Sequence, residues 1–187
     1  LVHSHMNNSS FIGYEPYMET KQDAAKITIY KHWNEVIYHC KSNGFFDVIT
    51  CFEVMEHFSK ERQIRYLDDI KKLLKKDGIL IISVPIEKGL PSLIKNLRRI
   101  QISYTGNEEI YTFKNIMCSL FGLKSLSLDR LRIGDGYLPH MGFYFNVFEQ
   151  NLKQLFIIES FFYSPFPKLP YFFNSQVFYI LRVAHDS

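Results

Sequence analysis

The stretch from Phe46 to Gly89 carries the clearest succession of patterns in the chain. Asp47-Val-Ile-Thr-Cys-Phe-Glu53 runs without polar alternation, as a strand covered on both faces does. Ser59 is placed to cap a following helix whose apolar face would be Tyr66, Leu67, Ile70, Leu73 and Leu74. Asp77-Gly78 reads as the stop of that helix, and Ile79 to Val84 as a second buried strand. A strand–helix–strand unit of this kind predicts a right-handed crossover within a parallel sheet. Such sheets bind ligands beyond the carboxyl ends of their strands, where Glu53, Glu56, His57 and Pro85 fall.

The flanking segments extend the pattern. Phe11–Tyr14 predicts a short strand, Glu19–Ala25 a helix, and Ile27–Tyr30 a β-branched strand. From Pro85 to Phe145 runs a connection longer than an ordinary crossover, with two helical patterns in it. Ser92 is placed to cap Leu93–Arg99, and Asn107 to cap a helix with Ile110, Phe113, Met117 and Leu120 on one face. Asn146 with Glu149 makes a variant capping box ahead of Phe148, Leu152 and Leu155. Phe156–Phe162 and Gln176–Val183 close the chain as two further strands. The expected fold class is α/β.

Composition narrows the field. A chain of 187 residues, 47% hydrophobic, suits one globular domain with a substantial core. A net charge of +3 is too small to argue for nucleic acid, which needs a basic stripe. Charges are interspersed, with a local exception at Lys95, Arg98 and Arg99. The three cysteines, Cys40, Cys51 and Cys118, show neither metal-ligand spacing nor an even-numbered disulfide framework, and fit a reducing cytoplasm. No apolar run approaches the roughly 18 residues of a membrane span, and no secretory signal is visible.

The wording of the central unit goes further than its pattern. FDVITCFEVMEHF followed by LLKKDGILIISVP resembles the fourth and fifth strands of class I S-adenosylmethionine-dependent methyltransferases. That family has an acidic strand tip, a Glu-His pair, a Lys-x-Gly-Gly turn and a Val-Pro end; here the turn reads Lys-Asp-Gly. Phe11-Ile-Gly-Tyr-Glu-Pro16 looks like the family's second strand, and Phe156–Phe162 with Gln176–Val183 like its closing antiparallel pair. The resemblance implies a Rossmann-like, mostly parallel sheet in a single domain spanning residues 7–187, with 85–145 as a substrate-side insertion. The family's Gly-rich loop should precede Phe11, yet Leu1 to Ser10 contain no glycine. The expectation is a domain incomplete at its N-terminus, with residues 1–6 either a cloning remnant or the end of an absent portion.

The resemblance also implies roles. Methyl transfer from a sulfonium is an in-line displacement in which the cofactor, S-adenosylmethionine, carries the reactivity, and no metal is required. Glu15 stands where the family places its ribose ligand, with Pro16 turning the chain away; the alternative is an acidic helix-start residue. Trp33 is the one tryptophan and could stack on adenine, with Asn34 or Glu35 holding the exocyclic amine; equally, Trp33 is core. Cys51, Phe52 and Glu53 should pass beside the methionine part, Glu53 either holding its ammonium or capping the turn. Glu56-His57 is family-like, with His57 tying the helix start to a neighbouring loop in preference to a catalytic role.

A general base is needed for a hydroxyl or protonated-amine acceptor. His140, in the loop Gly136-Tyr-Leu-Pro-His-Met-Gly-Phe143, is the catalytic candidate, against a loop histidine bonded to a carbonyl. Tyr137 and Tyr144 are weaker substrate contacts. Lys95, Arg98, Arg99, Arg130 and Arg132 are either anion ligands or a solvated face. Phe161-Phe-Tyr-Ser-Pro-Phe-Pro-Lys-Leu-Pro-Tyr-Phe-Phe173 is either a surface for a lipid, a partner or a second copy of the chain, or a buried connection. The expected activity is methylation of an oxygen or nitrogen on a small, sugar- or lipid-linked acceptor. The alternative is a non-catalytic methyltransferase-like protein or partner subunit that has lost cofactor binding.

Overall fold

A computed structural model of the chain describes residues 9–17, 23–24, 27–101, 113–121, 140 and 142–184. They gather into two compact units, Leu1–Phe46 and Asp47–Ser187.

In the first unit, β1 (Phe11–Tyr14) and β3 (Ile27–Tyr30) are parallel, with Phe11 opposite Ile27 and Tyr14 opposite Tyr30. The short β2 (Asp23–Ala24) pairs antiparallel with the other edge of β3. This corrects the helix expected over Glu19–Ala25. Ladder bonds to Ile27 and Thr28 override helix propensity at Asp23 and Ala24; residues 19–22 and 25 lie outside the described set. The helix α1 (Trp33–Asn43) was not anticipated. Its start is closed by Glu35, whose Oε2 accepts from the His32 amide at 3.2 Å. It buries Val36 and Cys40, and Gly44, at φ 101, ends it.

The second unit holds a four-stranded sheet in the order β4 (Phe46–Phe52), β5 (Leu74–Pro85), β7 (Gln176–Val183), β6 (Phe156–Ser164). The directions of β4 and β5 follow from their ends. Lys75 meets Asp47 at 2.6 Å where both strands begin, and the Glu53 amide donates to Ser83 O at 3.2 Å where both finish. They are therefore parallel. β7 is antiparallel to β5, from Ile79–Arg182 to Pro85–Gln176, and β6 is antiparallel to β7 with an irregularity between Ile158 and Ser160. The closing antiparallel pair and the mixed α/β architecture are as the sequence led one to expect.

Two boundaries within this unit differ from expectation. Helix α2 (Lys60–Leu73) is capped by Ser59, whose Oγ accepts from the Arg62 amide at 3.4 Å, and it buries Leu67, Ile70 and Leu73. It ends before Asp77-Gly78, because Leu74 already begins β5; Lys75 and Gly78 belong to the strand. β5 is buried as expected, with Leu80, Ile82 and Val84 wholly out of solvent. β4 is not. Val48 is 51% and Phe52 49% exposed, because β4 is the outer strand of this sheet.

The insertion begins with α3 (Gly89–Gln101), which starts earlier than a Ser92 cap allows. Ser92 is instead buried inside it, its Oγ 3.0 Å from Ser119 Oγ of α4 (Phe113–Phe121). α4 turns Asn115, Ile116 and Cys118 inward, and the expected core residue Phe113 is 78% exposed. Asn107 and Ile110 lie outside the described residues. The helix α5 (Phe145–Leu155) has Tyr144, not Asn146, at its cap position, and buries Phe148 and Leu152 against the sheet side. Burial of each such side chain contributes about 1.5–3 kcal/mol.

Candidate active site

In the first unit the parallel pairing of β1 with β3 brings the carboxyl ends of both strands to one edge. Glu15 follows β1 directly, its amide donating to Tyr30 O at 3.0 Å, which continues the ladder one step past the strand. Its carboxylate is exposed, and Oε1 accepts from the Tyr17 amide at 3.1 Å. Pro16 then turns the backbone. On the same edge β3 leads into α1, where Trp33 is the first helical residue and Asn34 the exposed second. The half-buried Trp33 ring stands edge-on to Tyr14, with centroids 5.2 Å apart. The fold thus collects an exposed carboxylate, a flat apolar wall and an amide at one sheet edge. Those are the groups that a ribose diol and a purine base require.

At the tip of β4 in the second unit, Cys51 is half-buried, Phe52 is exposed with its edge on Phe178, and Glu53 holds a left-handed backbone, φ 53. That conformation is uncommon outside glycine and marks a constrained turn. Burial pushes the Glu53 carboxyl up, against the pull of Lys95 and with a smaller push from Glu87. The Cys51 thiol is raised to about 12 by burial and then by the Glu56 carboxylate. It is therefore protonated at neutral pH and is not a nucleophile.

Three residues beyond that tip converge. Met55–His57 form a 3-10 turn, and Glu56, its middle residue, is wholly buried. Glu56 Oε1 lies 3.7 Å from His57 Nε2 and 3.9 Å from His140 Nδ1. The two imidazoles stand edge to face, with centroids 4.6 Å apart. The turn is pinned from behind by Gln63 of α2, whose Nε2 donates to Met55 O at 2.8 Å and to Phe58 O at 3.2 Å. Asn151 of α5 in turn donates to Gln63 Oε1 at 3.4 Å. The carbonyl of His140 accepts from the Phe143 amide at 3.0 Å, just ahead of α5.

The sequence singled out His140 and Glu56-His57 separately; their meeting is a product of the fold. Gln63, which supports them, has no mark in the sequence, since a glutamine within a helix carries no signal of burial.

The remaining candidates divide. Lys95 lies 3.8 Å from the buried Glu87 and so faces carboxylates, while Arg98 is exposed. Tyr144 receives Lys88 over its ring at 4.9 Å. Tyr137, Arg130 and Arg132 lie outside the described residues, and the side chain of Arg99 is not described. Much of the aromatic run after Ser160 is surface: Phe161, Phe162, Phe166, Tyr171 and Phe173 are all exposed. Asn174 folds it back, accepting from the Phe166 amide at 2.7 Å and donating to three carbonyls of the same loop. No described helix is long and apolar enough to cross a membrane.

Comparison with known proteins bears on these observations. No curated protein sequence matches the chain. Among solved structures, an S-adenosylmethionine-dependent methyltransferase from Clostridium acetobutylicum is 14% identical, with a TM-score of 0.45 over 76% of this chain and 60% of that one. PKMT2 from Rickettsia typhi, in complex with AdoHcy, is 17% identical, with a TM-score of 0.45 over 85% of this chain and 39% of that one. The chain thus spans 60% and 39% of the lengths of these two proteins. The model of the methyltransferase domain family matches residues 4–127, a stretch that includes Glu15, Trp33 and the whole Glu53–His57 segment. By that match the chain belongs to the methyltransferase domain family.

Proposed function

We propose that this protein transfers a methyl group from S-adenosylmethionine to an oxygen or nitrogen of a small, sugar- or lipid-linked acceptor. The observation that carries the reading is the exposed Glu15 carboxylate at the tip of β1, on the same sheet edge as Trp33 and Asn34. A carboxylate there accepts both hydroxyls of a ribose cis-diol, the indole offers a face to adenine, and the amide is within the chemistry of its exocyclic amine. The tip of β4, Cys51 to Glu53, is the corresponding candidate in the second unit.

When bound, the cofactor supplies a methyl group on a sulfonium; the S–CH3 bond breaks with its electrons left on sulfur, and an acceptor lone pair forms the new bond. The chain's part is to orient, to exclude water and to deal with the acceptor's proton. A neutral amine attacks before its proton leaves, whereas a hydroxyl must lose its proton as it attacks. His140, half-exposed beside Glu56, is where that proton loss is assigned.

The test is incorporation of methyl-labelled cofactor into hydroxyl and amine acceptors of the small, sugar-linked and lipid-linked classes by the full-length protein. Label should enter one class, be lost in Glu15→Ala at subsaturating cofactor, and fall in His140→Ala with cofactor affinity kept. Failure to label any acceptor, with no cofactor bound, would refute the activity.

A further inference from the structure

We infer that Glu56, His57 and His140 form a binding site for a divalent first-row transition-metal ion. One ligand atom from each lies within 4.8 Å of the others. The two histidine nitrogens approach the same carboxylate oxygen at 3.7 and 3.9 Å, longer than the hydrogen bonds of about 2.7–3.2 Å that would join them directly. Ligands bound at about 2.0–2.2 Å to a shared ion stand roughly 3–3.5 Å from one another. Closing the triangle therefore takes side-chain shifts of about 1–2 Å at most, within the reach of a χ rotation.

The supports suit such a site. The carboxylate is wholly buried, and a buried charge is tolerated where it is paired or coordinates a metal. The 3-10 turn that carries Glu56 and His57 is fixed by two hydrogen bonds from Gln63, and Gln63 by Asn151. His140 comes from a separate part of the chain, where its carbonyl accepts from the Phe143 amide, so three ligands come from two attachments. Both imidazoles keep about a quarter of their side-chain surface open, 25% for His57 and 30% for His140. An ion could enter from that side, and positions there remain for water or a ligand oxygen.

Donor chemistry selects the ion. Two imidazoles with one carboxylate favour zinc, iron, cobalt or manganese in the divalent state, whereas magnesium and calcium want oxygen donors. Three protein ligands leave open coordination positions, the arrangement of sites that bind a reactant as well as hold an ion. Resting on the proposed methyl transfer, the ligand class for the open position is an acceptor hydroxyl. With an ion bound, His140 would assist the proton loss assigned to it above indirectly, as a ligand of the ion that lowers the hydroxyl's pKa.

The test is run without cofactor or acceptor, so its failure is separate from failure of the methyl-transfer reading. Metal-stripped full-length protein is titrated with Co2+, followed by visible absorption and by the shift in Tm. Wild type should take up one equivalent, gain d–d bands and melt higher. Zn2+ should displace the cobalt and millimolar Mg2+ should not. Glu56→Gln and His140→Ala, each checked for native circular dichroism, should weaken binding at least tenfold. His39→Ala, whose ring lies 3.0 Å from Tyr30 OH in the other unit, should leave it unchanged. No saturable uptake by folded wild type, equal affinity in the Glu56 and His140 variants, or displacement by Mg2+ would each overturn the assignment.

Discussion

Gly89, the first residue of α3, lies directly under the backbone carbonyl of Phe172, with no room between them for a Cβ atom. Its φ of +80 adds a second reason for glycine, since L residues avoid that region. The contact fixes the start of α3 to the 3-10 turn Tyr171–Phe173 that precedes β7. Gly89→Ala must shift backbone as well as accept strain, and should cost about 1–3 kcal/mol. Urea unfolding at equilibrium measures this; an unchanged midpoint would show that the two segments are not packed as described.

Tyr179 of β7 is wholly buried, and its hydroxyl donates to Glu149 Oε2 of α5 at 3.2 Å. Burial and the Glu149 carboxylate together hold the phenol far above its ordinary range, so it remains a donor at any working pH. Tyr179→Phe keeps the ring and removes the bond. The expected loss is about 1 kcal/mol, since the carboxylate is near enough to solvent to recover a partner. A loss above about 3 kcal/mol would mean that Glu149 is left stranded.

Much of this architecture could be read from the chain because it is local. Ser59 and the row Leu67, Ile70, Leu73 define α2 by capping and by helical spacing, both of which depend on neighbours in sequence. The errors fall where distant residues decide. Asp77-Gly78 looks like a helix stop, but pairing with the distant β4, marked by the contact of Lys75 with Asp47, goes with a β5 that begins at Leu74. β4 has the composition of a central strand, yet its place at the edge of the sheet leaves Val48 exposed. α1 escaped notice because two inward positions, Val36 and Cys40, make a thin stripe beside an exposed Tyr38. The candidate site divides likewise. The place of Glu15 just past a strand was legible from a motif, whereas the trio of Glu56, His57 and His140 needed α2 and α5 to bring it together.

Glu53 gives a prediction in pH. Its folded-state pKa is raised above the ordinary 4.5, chiefly by burial, with Lys95 opposing and Glu87 reinforcing. A raised carboxyl contributes stability below its unfolded pKa, and that contribution is lost as pH rises through the folded value. At neutral pH the charge therefore costs stability, and Glu53→Gln should be more stable than wild type there. The gain should shrink on acidification and vanish below about pH 4, where both states are protonated. Chemical unfolding at a series of pH values measures it, and a glutamine variant less stable than wild type at pH 7 would contradict the assigned burial.

In the proposed function, the edge of the first unit holds S-adenosylmethionine through Glu15. Calorimetric titration of the full-length protein with S-adenosylhomocysteine reads this binding alone, since the product binds without turning over. Wild type should bind one equivalent, and Glu15→Ala should bind more weakly by about 1.5–3 kcal/mol, the scale of hydrogen bonds to a charged group. Glu15→Gln, which keeps one acceptor oxygen, should fall between them. No saturable binding by the wild-type protein, or equal affinity in Glu15→Ala, would contradict it.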